Sequence, residues 1–319
     1  MRVLVTGGAG YIGSHAVRAL KRVGHEVVIY DNLSRGFREL ARGFELIEAD
    51  LLDPAAVAEA VAGSDAVMHF AALASVAESV EKPDIYFRNN MSGGMNLLNA
   101  ARDAGVRYFV FSSTAAVYGM PERSPIPEET PREPINPYGS SKLFFEYALE
   151  AYDAAYGIRS ARLRYFNAAG ADESGEIGEM HDPETHLIPV ILQVLTGKRK
   201  EVVIFGDDYP TQDGTCLRDY IHVQDLVDAH VLALEKLADG AESMSMNLGT
   251  GSGFTVRQIV EAVERVTGQK VPVRVGPRRP GDPPALVADP SRAETLLGWK
   301  AKRGLDEIVS SAWKWMQKR

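Results

Sequence analysis

Met1-Arg2-Val3-Leu4-Val5-Thr6-Gly7-Gly8-Ala9-Gly10-Tyr11-Ile12-Gly13 opens the chain, and its reading decides the fold. A short apolar strand runs into a glycine loop and then into a helical stretch from Ser14 to Val23. That order of strand, glycine turn and helix is the context in which a glycine fingerprint has chemical meaning. Glycines let the backbone turn tightly and approach a pyrophosphate, whose charge then rests on free N–H groups at the helix start. The loop satisfies both Gly8-x-Gly10-x-x-Gly13 and Gly7-x-x-Gly10-x-x-Gly13. A second strand, Glu26-Val27-Val28-Ile29-Tyr30, ends at Asp31, eighteen residues after Gly13. A carboxylate there can accept hydrogen bonds from adenosine ribose hydroxyls and repels a 2'-phosphate, so the cofactor expected is NAD rather than NADP. Arg35 and Arg38, close by, pull the other way.

Outward from this start, apolar runs at 2–6, 26–30, 44–48, 66–70, 108–112 and 159–165 alternate with helical patterns. Such alternation predicts an α/β fold, a doubly wound parallel (Rossmann-type) sheet. Asp50-Leu51 follows the third strand and His69-Phe70-Ala71-Ala72 the fourth, which puts both at the carboxyl edge where ligands of such sheets bind. A helix is expected from Asn90 to Ala104, with Met91, Met95 and Leu98 at helical spacing as core or dimer contacts. Beyond Asn167 a polar, glycine-containing loop, 168–176, marks a boundary, and a smaller C-terminal α/β substrate lobe follows. That lobe holds a helix from Leu187 to Leu195, the arginine-bearing segment 215–221 and a proline-rich strip at 275–282. Ser245 to Gly249 reads as another short strand, so the two domains are expected to interleave. The expectation is a cofactor domain of residues 1–167, with returning segments near 219–249, and a substrate lobe of 168–319.

Bulk properties exclude other classes. At 319 residues the chain suits two domains or one large α/β domain with an added lobe. A net charge of -8 with no long run of Lys or Arg argues against nucleic acid as a partner. Cys216 is the only cysteine, so no intrachain disulfide can form. No apolar stretch approaches the ~20 residues of a membrane helix, and the first strand starts at Met1 with no signal peptide before it. A cytoplasmic protein without membrane partners is expected.

The chemistry centres on Asn136-Pro137-Tyr138-Gly139-Ser140-Ser141-Lys142-Leu143. Four residues along a helix place the Tyr138 phenol and the Lys142 ammonium on one face. A free phenol has a pKa of about 10, so a nearby cation must favour its ionised form before it can act as a base near neutral pH.

With these residues in view, the chain resembles the extended short-chain dehydrogenase/reductase family over essentially its whole length, and within it the branch of UDP-sugar 4-epimerases. The resemblance is carried by the segment Thr6 to His15, Asp31-Asn32-Leu33, His69-Phe70-Ala71-Ala72, Phe111 to Gly119 and the Tyr138 to Lys142 pair. Further on it is carried by Arg164-Tyr165-Phe166-Asn167, by Asp213-Gly214-Thr215 leading into Arg218-Asp219-Tyr220-Ile221-His222-Val223, and by Arg279 with Gly281-Asp282. The resemblance implies reversible oxidation of a UDP-hexose at C4 with bound NAD, UDP-glucose and UDP-galactose being interconverted through a 4-keto sugar. Tyr138 would be the base, Thr114 a short proton relay, and Lys142 a contact to the nicotinamide ribose. Cofactor contacts are implied for Gly7, Gly10, Tyr11, Ile12, Gly13, Asp31, Asn32, Asp50, Leu51, Phe70, Ala71, Ala72, Asn89, Ser112, Tyr138, Lys142 and Tyr165. Substrate contacts are implied for Thr114, Tyr138, Asn167, His186, Leu187 and Phe205, with Arg218 and Arg279 on the diphosphate and Asp282 on the uridine ribose. A homodimer through the helices 90–104 and 138–156 is implied as well.

Two positions depart from the family pattern. Ala74 stands where some members carry a lysine that touches the cofactor phosphates, and His186 where some carry an asparagine facing the sugar nucleotide. Two alternatives stay open. A related dehydratase places an Asp-Glu pair directly after the threonine, whereas Ala115-Ala116 stands here and can neither protonate a leaving hydroxyl nor take a C5 proton. Leu286, intermediate in size at the position that gates the sugar pocket, also leaves an N-acetylated UDP-sugar or a UDP-pentose as substrate. A non-catalytic NAD-binding sensor would not need Thr114, Tyr138 and Lys142 together. No metal is expected: His181 and His186 read as solvent-facing residues of a polar loop lacking a third ligand.

Overall fold

Buried β-branched and aliphatic runs make the strands, and the computed structural model describes residues 1–279 and 282–319, so the motif residue Gly281 lies outside the described residues. In β1 (Arg2–Thr6), Val3, Leu4 and Val5 are all shut off from solvent, as a central parallel strand covered on both faces requires. There follow α1 (Tyr11–Arg22), β2 (Glu26–Asp31), β3 (Glu45–Glu48), α2 (Pro54–Val61) and β4 (Ala66–His69). Next come α3 (Val76–Glu81), α4 (Pro83–Tyr86), α5 (Gly94–Asp103), β5 (Tyr108–Thr114), α6 (Pro137–Tyr156) and β6 (Arg159–Tyr165). The sheet has seven strands in the order 3-2-1-4-5-6 from β3 to β6, then the strand Met244–Leu248, and every pair is parallel. The order reverses between β1 and β4, and the crevice at their carboxyl ends is where such sheets hold ligands.

Alternation along β1 splits the core. Val3 and Val5 face α1 and the helix Val223–Ala238, joining Val17, Leu20, Leu226 and Leu234. Leu4 faces the other way, into Val28, Val67, Leu97, Phe109, Phe111 and Phe145. One expectation needs correcting. The helix placed at 90–104 is the end of a longer helical path: α4 runs into a π-helical turn, Phe87–Gly93, and that into α5. In the wide turn Asn90 is buried, with its amide bonded to Leu73 O at 3.0 Å and Ser141 Oγ at 3.0 Å.

After β6 the chain leaves the sheet. Asn167–Ala169 pairs with Tyr220–His222, and Leu217–Arg218 lies between Phe254–Thr255 and Ala285–Leu286. Helices Leu187–Leu195, Val256–Thr267 and Leu305–Gln317 close a third core around Ile191, Ile259 and Ile308. Between these pieces the chain returns to the main sheet, adding the helix Val223–Ala238 to one face and the strand Met244–Leu248 to its edge. Among the described residues no helix is long and apolar enough to cross a membrane.

Candidate active site

Asn136 starts α6: its side chain accepts from Gly139 N at 2.8 Å, and Pro137, which has no N–H to lose, takes the first helical position. Tyr138 therefore lies in the first turn. A Cβ on Gly139 would stand 2.6 Å from Ala116 O, so only glycine lets α6 press this closely on the turn that follows β5. The result brings the Tyr138 hydroxyl beside the Thr114 side chain. Thr114 is the last residue of β5 and is buried, its Oγ1 also accepting from Ala116 N at 3.1 Å. One turn along α6, Lys142 Nζ donates to Ser112 O at 2.8 Å and lies 4.9 Å from the Phe111 ring centroid. Ser112 Oγ bonds the Tyr165 hydroxyl from β6. Thus Ser112, Thr114, Tyr138, Lys142 and Tyr165 converge at the carboxyl ends of β5 and β6.

The electrostatics correct one expectation. Desolvation of its inward-turned phenol raises the Tyr138 pKa, and the nearby Thr114 side chain only partly offsets this. Lys142 does not by itself hold a phenolate: its ammonium is committed to the Ser112 carbonyl, and burial pushes its own pKa down to about 7 against the pull of Glu146. Glu146, one further turn along α6, is a residue that the sequence reading missed. Its carboxylate is fully buried and accepts from Ser113 Oγ at 2.5 Å, Arg164 Nε at 2.9 Å and Arg164 Nη2 at 2.6 Å. Burial would raise its pKa, but the Arg164 fork holds it below the usual carboxylate range. The available signals were its spacing of four from Lys142 and the arginine in Arg164-Tyr165.

The dinucleotide residues line the same edge. Gly10, in extended backbone, precedes α1 with no side-chain cap, and no acid stands in the first helical turn, so the N–H groups around Tyr11, Ile12 and Gly13 keep their affinity for an outside anion. Any Cβ on Gly13 would overlap Gly7 O at 2.1 Å. Asp31 is buried and accepts from Ala9 N at 3.0 Å and Leu33 N at 2.9 Å, so it ties β2 to the glycine loop with lone pairs left over. Asn32 Nδ2 donates to Asp50 Oδ2 at 2.9 Å, and Leu51 O accepts from Asn96 Nδ2 at 2.9 Å. Phe70 N and Ala71 N both reach Thr6 O, at 2.9 and 3.1 Å, which holds the segment leading to Ala72 beside the loop. Asn89 is turned to Asn90 Oδ1 at 2.9 Å. An uncapped helix start, a cradle that side chains would fill and a carboxylate after β2 fit NAD.

The substrate residues form smaller groups. Arg218 is ion-paired with Asp282, and the Arg279 guanidinium lies 4.0 Å from the centroid of the Phe205 ring. Asp219, next to Arg218 in the chain, accepts from Thr250 N at 2.8 Å and Gly251 N at 3.1 Å. Asn167 Nδ2 donates to Asp219 O at 2.9 Å. Leu286, the register partner of Arg218, packs with Phe166 against Val117 and Leu143, which links this strand to the start of α6. Leu187 starts its helix with His186 at the cap position.

Of the two loop histidines, His186 faces solvent, with 57% of its side chain exposed, while His181 is half-buried. An acidic side chain stands beside both: His186 Nδ1 is 2.7 Å from Glu179 Oε1, and His181 Nδ1 is 3.3 Å from the same oxygen. Glu184 joins them, and folding of the loop, not spacing alone, brings the four together.

A family model described as the NAD dependent epimerase/dehydratase family matches residues 3–249. UDP-glucose 4-epimerase of Streptococcus mutans is 50% identical over 321 aligned positions, covering 99% of this chain and 96% of that one. Among solved structures, UDP-glucose 4-epimerase from Brucella ovis in complex with NAD is 49% identical, with a TM-score of 0.96, covering 98% of this chain and 97% of that one. The UDP-glucose-4-epimerase from Stenotrophomonas maltophila, with bound NAD and formylated UDP-arabinopyranose, is 46% identical, with a TM-score of 0.97, covering 100% and 98%.

Proposed function

The chain belongs to the NAD dependent epimerase/dehydratase family, and from that membership we infer that it is an isomerase interconverting UDP-glucose and UDP-galactose by inversion at C4. Its cofactor is NAD. The observation that carries the reading is the convergence of Thr114, Tyr138 and Lys142 at the edge that also bears the glycine loop.

In this reading Tyr138 takes the proton of the C4 hydroxyl, and Thr114 Oγ1 bridges the sugar oxygen and the phenol as a relay. NAD, when bound, supplies positive charge beside the phenol and a reversible hydride sink for C4. Lys142, anchored on the Ser112 carbonyl, adds its charge one turn from the phenol and serves the nicotinamide ribose. Arg218 and Arg279 fork onto the diphosphate, Asp282 exchanges Arg218 for the uridine ribose, and Asn167, His186, Leu187 and Phe205 line the nucleotide. Firm hold on the diphosphate and loose hold on the hexose let a 4-keto sugar turn over and present its opposite face. Ala115-Ala116 beside Thr114 lacks the acid and base that dehydration needs.

A cytoplasmic homodimer belongs to the same reading, supported by exposed Phe87, Phe144 and Tyr147 on the side of α6 and the π-helical turn. Light scattering tests it. The reaction is tested by incubating the protein with UDP-galactose and no added reductant while following sugar stereochemistry by NMR. Accumulation of UDP-glucose supports the assignment; an unchanged sugar or a 6-deoxy keto product overturns it.

A further inference from the structure

The loop between the two lobes of the fold folds back on itself so that Glu179, His181, Glu184 and His186 aim their donor atoms at one point. All four atoms lie within 4.8 Å of one another. The Glu179 and Glu184 side chains are 94–95% buried, with 6% and 5% left exposed. Burying two carboxylates side by side is costly without a compensating cation. Glu179 Oε1 and His181 Nδ1 make no well-aligned hydrogen bond, although both are buried.

Distances discriminate between a hydrogen-bonded cluster and a cation cage. In a tetrahedron with bonds of about 2.0–2.1 Å, neighbouring donors stand about 3.3–3.4 Å apart. Here His181 Nδ1 is 3.3 Å from Glu179 Oε1 and 3.5 Å from Glu184 Oε2, the other Glu184 oxygen being held by Thr185 N at 2.8 Å and His186 N at 2.9 Å. The two distances from His181 are long for hydrogen bonds and close to the edges of such a tetrahedron. The 2.7 Å from His186 Nδ1 to Glu179 Oε1 must open, by roughly 0.6 Å, and the remaining donor pairs lie within 4.8 Å. The loop is also braced from outside: Trp315 Nε1 donates to Glu179 O at 3.0 Å, and Arg199 Nη2 to Glu184 O at 2.9 Å.

We propose that Glu179, His181, Glu184 and His186 bind one zinc ion through two imidazole nitrogens and two carboxylate oxygens. Imidazole with carboxylate in a four-donor cage favours zinc over the all-oxygen, higher-coordinate ions magnesium and calcium. With four protein ligands the site is closed, so the ion is structural and takes no part in hydride or proton transfer. Its place gives it work. His181 meets the ring of Tyr11 edge-on at 6.3 Å, and the Tyr11 hydroxyl donates to Gly170 O at 2.7 Å. The ion would therefore pin the glycine loop of one lobe to the start of the Leu187–Leu195 helix of the other.

The test uses the full chain purified without a polyhistidine tag. After dialysis against chelator and reloading with zinc sulfate, elemental analysis should give about one zinc per chain and a raised Tm, with the His181→Ala, Glu179→Gln double variant retaining about a tenth of that zinc or less. Loading the unaltered chain with Co²⁺ gives a readout that needs no variant: an intense visible absorption band marks tetrahedral coordination. Zinc content near zero, equal zinc in the folded double variant, or only the weak band of octahedral cobalt would overturn the site.

Discussion

Arg164 grips Glu146 through two N–H groups, at 2.9 and 2.6 Å, in the interior behind Lys142, with the carboxylate fully buried. The pair joins β6 to α6 and so sets where the helix bearing Tyr138 and Lys142 stands on the sheet. Glu146→Gln leaves the guanidinium buried without its counter-charge, and stability should fall by about 3–5 kcal/mol in urea denaturation. An unchanged midpoint would show that the pair is dispensable.

Tyr138→Phe removes the proton acceptor and little volume. Turnover should fall by about 10²–10⁴ with UDP affinity unchanged. Calorimetric titration with UDP beside steady-state rates separates the two effects, and near-normal turnover would remove Tyr138 from the role of base.

Gly139→Ala places a methyl 2.6 Å from the Ala116 carbonyl oxygen, where helix and turn must separate to receive it. The expected cost is about 1–3 kcal/mol of stability. A lowered kcat should accompany it, because the placement of Tyr138 beside Thr114 depends on that approach. Retained kcat in a destabilised variant would uncouple the two.

His15, His69 and His230 are buried, and burial pushes their pKa values down, to about 4, about 3 and about 4. In the unfolded chain each takes up its proton at about 6.5. Below that pH the unfolded state binds protons that the folded state refuses, so the stability present above it is lost as pH falls through the folded values. In His230→Gln one such group is gone, and between pH ~6.5 and ~4 stability should decline less steeply by about 1.4 kcal/mol per pH unit. Urea midpoints of both proteins across that range provide the check; parallel pH profiles would contradict it.

What was legible in the chain was local. The β1 strand and glycine loop occupy consecutive residues, and Tyr138 and Lys142 are joined by helical spacing alone, so period and turn chemistry suffice to find them. The π-helical turn was hidden because Phe87 to Gly93 reads as ordinary helix; its widening follows from Asn90 reaching Leu73 and Ser141, partners seventeen and fifty-one residues away. Arg164 and Glu146 are eighteen residues apart on different elements, and only packing of α6 against β6 brings them together. The histidine loop shows the same limit: Glu179 and Glu184 were visible as charges, but their convergence on His181 and His186 is a product of loop folding.

The strand Met244–Leu248 pairs along the open side of β6, although part of the second lobe, including the helix Leu187–Leu195, is threaded before it. During translation, β6 must wait with an unpaired backbone edge while some eighty further residues emerge, and such an edge invites pairing with another nascent chain. Truncation anywhere between Tyr165 and Met244 should therefore yield insoluble fragments, never a free-standing cofactor domain, and any attempt to split the gene into separately expressed halves must carry the last strand with the first six.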